Sequence, residues 1–213
     1  MSVGPAHHPN EDLLTDAAAG LLCSVTHLVV LTHCSFCPTC SEFMNALEMI
    51  GGALGSDALG DNDEMSEEWQ GQYPELNLDR DPMLRDLLAP LLSMVLEALE
   101  SRDWHELMPG LASLDLDGQS RGDQTEVSLV RFHPGVVGPW HTHNGAEAKV
   151  VLTGSLSDHR GTFNRGDIVI SGPDIVHAPT AGPDEICYCL AITDAPALLV
   201  APPEMTAADR PAV

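Results

Sequence analysis

Apolar residues recur along this chain with two different periods, and the change between them divides it. Near the start Asn10 precedes Glu11 and Asp12, and the run to Ala19 closes on Gly20. A capping side chain, acids in a first turn and a glycine stop predict a helix over residues 11 to 19. From Ser24 to Ser35 the apolar positions suit a second helix, although Leu28-Val29-Val30-Leu31 alone reads equally well as a strand. Pro38 fits the opening turn of a third helix over Thr39 to Leu54, with Phe43, Leu47, Ile50 and Leu54 along one face. Residues 55 to 80 are rich in Gly, Asp, Glu and Ser and read as a flexible acidic linker, with a weak helical candidate at Glu64 to Gln72. Met83 to Glu100 is again helical and strongly apolar, and Pro90 is acceptable there only near a helix start or at a kink. Beyond Trp104 the texture becomes short apolar runs punctuated by Gly, Pro, Asp and Asn. Strands are expected at Val127 to Phe132, Ala148 to Leu152, Ile168 to Ser171, Ile186 to Ile192 and Ala197 to Val200, the spacing of a sandwich or barrel.

The fold class that follows is α+β. A small helical domain with the acidic linker after it is followed by an all-β domain beyond Trp104, and Met83 to Glu100 could complete the first or lead into the second. At 213 residues the chain is long enough for each to bury a core.

The formal net charge of -23 is unevenly spread, because thirteen Asp and Glu precede Arg80, the first Lys or Arg. Such a chain repels phosphate backbones, so direct nucleic-acid binding is not expected, whereas a basic protein partner would be steered toward the acidic half. No stretch is apolar for long enough to span a bilayer, and Met1 to Glu11 lacks the basic-then-apolar pattern of a secretory signal. The expected location is cytoplasmic, where thiols stay reduced. The six cysteines then read as metal ligands or redox groups before disulfides.

Two clusters carry the chemistry. In the β-rich part, Gly135-x5-His141-x-His143-x3-Glu147-x6-Gly154 places two imidazoles on one strand face, and Glu147, beyond the turn Asn144-Gly145, is expected to return on the neighbouring strand. A fourth donor must come from elsewhere, and His177 follows the turn-like Gly172-Pro173-Asp174. With Gly166-x5-Gly172-Pro173-Asp174-x2-His177 the pair of segments resembles the two-part signature of the cupin superfamily. That resemblance implies a jelly-roll barrel holding zinc or another divalent metal on His141, His143, Glu147 and His177. Gly172 and Ala181 depart from the usual second part without touching those four.

In the helical part, His33-x3-Cys37-x2-Cys40 sets one imidazole and two thiols around a helical turn, a donor set suited to tetrahedral zinc. Either His7 or His8 could supply the fourth donor. The pattern His8-x24-His33-x3-Cys37-x2-Cys40 and the opening His7-His8-Pro9-Asn10-Glu11-Asp12 resemble the zinc-binding anti-sigma factors, which implies the second histidine, His8, as ligand. Joined to a cupin-like barrel, the whole is similar to the ChrR-type subgroup, whose barrel lead-in is matched by Pro90-Leu91, Trp104 and Pro109-Gly110. By that comparison Met83 to Glu100 belongs to the barrel domain, which implies a helical domain of residues 1–80, linker included, and a cupin-like domain of residues 81–213, and Glu64 to Gln72 would be the fourth helix of the sigma-binding domain.

The resemblance implies a non-enzymatic regulator that sequesters an extracytoplasmic-function sigma factor and releases it under oxidative stress such as singlet oxygen or peroxides. Two other classes fit part of the pattern. One is a metal-dependent cupin dioxygenase or isomerase with an appended zinc module. The other is a thioredoxin-like thiol oxidoreductase built on Cys37-x2-Cys40, which would need further strands directly after the helix. Cys187 and Cys189 share a strand face and read as small buried hydrophobes, Cys23 and Cys34 as packing residues, and Trp140 as a pocket wall. His27, His105, His133 and His159 lack motif partners and read as surface histidines or ones satisfied by their own hydrogen bonds.

Overall fold

A computed structural model describes residues 4–55, 87, 89–116 and 126–202. The linker with Glu64 to Gln72, the opening of the Met83 to Glu100 stretch and the side chain of Leu54 lie outside the described residues.

Helix α1 (Glu11–Ala18) starts where Asn10 Oδ1 accepts the Leu13 N–H at 2.8 Å. It stops at Gly20, whose φ of 67° lets Leu21 N reach Asp16 O at 2.9 Å and Gly20 N reach Ala17 O at 3.0 Å. Helix α2 (Ser24–Phe36) settles the choice left by Leu28 to Leu31 in favour of helix. It is flanked on two sides: Val25 and Val29 join one apolar cluster, while Val30 and Cys37 just beyond its end join another. A helix covered on two sides is apolar nearly all round, and in a four-residue window that pattern is indistinguishable from a buried strand.

Helix α3 (Pro38–Gly55) begins on its proline and inserts Cys40 and Met44 against Leu14, Ala17 and Val30. The expected Phe43, Leu47, Ile50 face is only partly covered. Phe43 and Leu47 are half-buried, Ile50 is 58% exposed and its neighbour Met49 is 76% exposed. Helix α4 (Ala89–Ser101) carries Pro90 in its first turn and buries Leu91, Val95 and Ala98 completely.

The rest is antiparallel β structure. Strands β1 (His105–Met108), β2 (Leu111–Asp115), β3 (Glu126–Phe132), β5 (Glu147–Thr153), β8 (Ile168–Ser171) and β10 (Cys187–Thr193) form one six-stranded sheet in the order β1-β2-β3-β10-β5-β8. Strands β6 (Ser155–Asp158), β7 (Gly161–Asn164) and β9 (Thr180–Ala181) form a second sheet, and β4 (His141–His143) pairs with β11 (Ala197–Leu199) in a third. The expected strands at 127, 148, 168, 186 and 197 correspond to β3, β5, β8, β10 and β11. The short β1, β6, β7 and β9 carry too few apolar residues to stand out, and the five residues of β2, though they include Leu111, Ala112 and Leu114, are too few to mark a period.

The six-stranded sheet is buried on both faces. One face supplies Val130, Phe132, Val151, Val169, Cys189 and Ala191 to the barrel interior with Leu156 and Phe163. The other supplies Leu114, Val127, Leu129, Val150, Leu152 and Leu190 to a cluster shared with Val25 and Val29 of α2 and Leu91, Val95 and Ala98 of α4. This explains why Val150-Val151-Leu152 is continuous rather than alternating. At about 25 cal/mol per Å² of apolar surface buried, each fully covered Val or Leu contributes about 1.5–3 kcal/mol to holding helices and barrel together.

Candidate metal centres

In the barrel, backbone pairing brings distant ligand positions together. His141 N donates to His177 O and His177 N to His141 O, both at 2.9 Å, so the two histidines oppose each other across an isolated bridge. His143 lies two residues on and shares the face of His141, as the alternation predicts. Glu147 returns on β5, which belongs to the six-stranded sheet while β4 pairs with β11, so it reaches the cluster from a different sheet and not from the strand adjacent to β4. The hairpin expectation fails because the chain crosses between layers at Asn144 and Gly145.

All four side chains are buried, and one ligand atom of each lies within 4.8 Å of the others. A carbonyl can only accept, so the 2.8 Å contact of His141 Nδ1 with Pro139 O puts the proton on Nδ1 and leaves Nε2 to the cluster. Asp158 Oδ2, 3.1 Å from His177 Nδ1, does the same for His177 and is itself held by Arg160 Nη2 at 2.6 Å. His143 Nε2 is 3.3 Å from both His177 Nε2 and Glu147 Oε2. Lone pairs converge here, an arrangement that a divalent cation relieves.

The titration behaviour agrees. Burial lowers His141 to about 4, against the help of Pro139 O, and Lys149 lowers it further. Burial also lowers His143, so both rings are neutral and able to ligate near neutral pH. For Glu147 burial acts to raise the carboxyl, but the Lys149 ammonium at 2.6 Å outweighs it and leaves the group below the usual carboxylate range. A cavity of about 500 Å³ opens beside the cluster, with His141, Glu147 and Lys149 in its wall and Leu107, Met108, Leu111, Phe132 and Leu199 around them.

The second centre lies where α1, α2 and α3 meet. His33 and Cys37 lie one turn apart at the end of α2, Cys40 is in the first turn of α3, and His8 stands just before α1; their ligand atoms also fall within 4.8 Å of one another. His8 Nδ1 is 3.4 Å from the Sγ of both Cys37 and Cys40. His33 is fully buried, its Nδ1–H donates to Gly166 O at 2.7 Å, and its Nε2 is buried with no hydrogen-bond partner. That orphaned nitrogen beside two buried thiols is what a soft tetrahedral cation would satisfy. Burial pushes the Cys40 thiol up to about 12, aided by Cys37, and the Cys34 thiol up to about 11. A Cys40 thiolate forms here only with a compensating positive charge, which a cation on this donor set would supply.

Between the two histidines left open by spacing, the structure places His8 in the group. His7 turns to the barrel, its Nδ1 3.3 Å from Asp167 Oδ2 and its ring 4.6 Å from that of Phe163. Cys23 is exposed at the start of α2 rather than packed, whereas Cys34 packs beside the second centre. Trp140 is half-buried but absent from the cavity wall, which Pro139 and His141 form; alternation turns the residue between them outward. Cys187 and Cys189 are fully buried with Sγ atoms 3.7 Å apart. Asp158, Lys149 and Asp167 were missed. Only Lys149 had a signal, standing two residues from Glu147 on the same strand face.

A barrel built this way, with three imidazoles and a carboxylate at its mouth, is of the cupin class, and residues 93–195 match the family model of the ChrR cupin-like domain. Over 198 residues the chain is 34% identical to the anti-sigma-E factor ChrR of Cereibacter sphaeroides, covering 89% of this chain and 90% of that protein. The crystal structure of Rhodobacter sphaeroides SigE in complex with the anti-sigma ChrR matches with a TM-score of 0.66 and 31% identity, covering 88% of this chain and 98% of that one. The chain belongs to the ChrR family of anti-sigma factors.

Proposed function

We propose that this protein sequesters an extracytoplasmic-function sigma factor in the cytoplasm and releases it on oxidative stress, with two zinc ions as structural parts of the device. His8, His33, Cys37 and Cys40 are the ligands of the first; His141, His143, Glu147 and His177 are those of the second, where another divalent metal would also fit. When bound, the first ion supplies a crosslink among the ends of three helices, of which α1, at 8 residues, is far too short to be stable alone. No catalytic residue is assigned, because the role is regulatory.

The observation that carries this reading is the match, over most of both chains, to the structure of ChrR in complex with SigE. The helical region supports it. Glu11, Asp12, Asp16, Glu42 and Glu48 are exposed, and Met49 and Ile50 leave an apolar strip on α3. Acidic surroundings with an apolar centre suit a basic helical protein partner. The same match favours regulation over the dioxygenase or isomerase alternative.

Co-expression with the candidate sigma factor tests the proposal. His33→Ala combined with Cys37→Ala should abolish co-purification, and undiminished recovery of the complex would refute it. His141→Ala should leave the complex intact in unstressed cells but blunt its release by singlet oxygen or peroxide; normal release would remove the barrel centre from the mechanism.

A further inference from the structure

The two centres are joined by a single turn. Asp167, between β7 and β8, is completely buried, and its carboxylate is occupied by backbone donors. Oδ1 accepts the N–H of Ala6 at 2.6 Å and of His7 at 2.8 Å, and Oδ2 accepts the N–H of Asn164 at 2.7 Å. Ile168 N adds a bond to His7 O at 3.3 Å. Residues 6 and 7 are thus strapped to the barrel edge immediately before His8. The preceding residue of the same turn, Gly166, gives its carbonyl to His33 Nδ1. Two of the four members of the amino-terminal group therefore take their position from the barrel.

This turn also leads back to the other centre. Gly166 N donates to Val151 O at 2.7 Å and Val151 N to Asp167 O at 3.1 Å, and Val151 lies on β5, the strand that begins with Glu147. On the far side of the strap, the His7 ring rests on Phe163, over which Arg160 also lies, and Arg160 holds the Asp158 that orients His177. A segment of polar backbone with no helix or strand of its own would not hold a ligand in place unaided, because ordering it costs backbone entropy that no packing of its own offsets.

We propose that Asp167 is a positioning residue for the amino-terminal metal group: it ties the segment carrying His8 to the barrel, so that the four-residue group is complete only while helices and barrel stay docked. This rests on the ligand assignment made above. It gives the barrel a direct handle on the sigma-binding region, because a shift of the turn moves the His8 strap and the His33 ring together.

Cobalt(II) titration of the full, reduced chain tests it, since thiolate-to-cobalt charge-transfer absorption reports the group containing Cys37 and Cys40, and competition with a chelator reports the thiolate-free barrel group. Partners that orient metal ligands are typically worth about 10–100-fold in affinity, so Asp167→Asn should weaken the thiolate site by at least about tenfold and leave the barrel site within about twofold. Ala6→Pro, which deletes one strap donor without altering the barrel, should weaken the thiolate site in the same direction. His8→Ala should weaken it at least as much, and adding Asp167→Asn to His8→Ala should cost little more, because both act on one ligand. If Asp167→Asn and Ala6→Pro both titrate like the unaltered chain while His8→Ala is impaired, the positioning role is wrong and the ligand assignment survives. If His8→Ala also titrates normally, the assignment itself fails. Should Asp167→Asn weaken both sites equally through loss of the barrel, Ala6→Pro decides, and a normal titration of that variant overturns the proposal.

Discussion

Single side chains in the barrel centre are held neutral or ionised by burial and by one partner each, and this has a pH consequence. His141 falls from an ordinary 6.5 to about 4 because burial disfavours its charged form. An unfolded chain takes up that proton near 6.5 and the folded one does not. In the metal-free protein the contribution of His141 to stability is therefore intact above about pH 6.5, declines as pH falls toward about 4 and then levels off. The loss amounts to about 3 kcal/mol at 1.36 kcal/mol per pH unit. Thermal denaturation of metal-free protein should show this decline, and His141→Asn should flatten it. An identical pH dependence in the variant would contradict the assignment. His141, His143, His33, Cys37 and Cys40 were readable from spacing because His-x-His, His-x3-Cys and Cys-x2-Cys fix their own geometry within one strand or turn, whereas the choice of His8 over His7 came only from the family resemblance. Asp158 and Asp167 were not, since each meets its partner across 19 or more residues and only the folded barrel brings them together.

At the level of elements, turns do more positioning than strand interiors. Gly20 and Gly166 both have positive φ, of 67° and 86°, but a Cβ at Gly20 would meet nothing within 4 Å while one at Gly166 would lie 2.6 Å from Phe36 Cβ and 2.8 Å from Pro5 Cγ. Gly20→Ala should cost only the left-handed backbone penalty of about 1–2 kcal/mol. Gly166→Ala adds overpacking of about 1–3 kcal/mol and pushes α2 off the barrel. Denaturant midpoints should separate the two variants in that order, and equal losses would show that the α2 contact bears no load. The helices with caps were legible from their ends inward: Asn10, Gly20 and Pro38 each stand where the structure starts or stops a helix. The six-stranded sheet was legible only at its apolar strands. Its edge strand β1, like β7 at the edge of the second sheet, carries too many polar residues, and the crossing of Glu147 between sheets depends on layer packing that a local period does not encode.

For the whole molecule, α2 is the shared part: it carries His33 at one end, faces α1 and α3 on one side and packs on β5 and β10 with the other. Among the described residues no helix is long and apolar enough to cross a membrane. A structure in which one helix serves two cores transmits displacement between them, which suits a sensor joined to a clasp. With -23 formal charges, association with a basic sigma factor should be fast at low salt and should slow steeply as ionic strength rises, which stopped-flow mixing would measure. We propose that a metal ion on His8, His33, Cys37 and Cys40 makes the helical region competent to bind its partner. The direct measurement is the affinity of the reduced full chain for its sigma factor before and after a chelator strips that ion. A fall of about 100-fold or more, reversed by adding zinc, is the predicted result by the scale on which structural zinc supports folding. Undiminished affinity in the metal-free chain would contradict it.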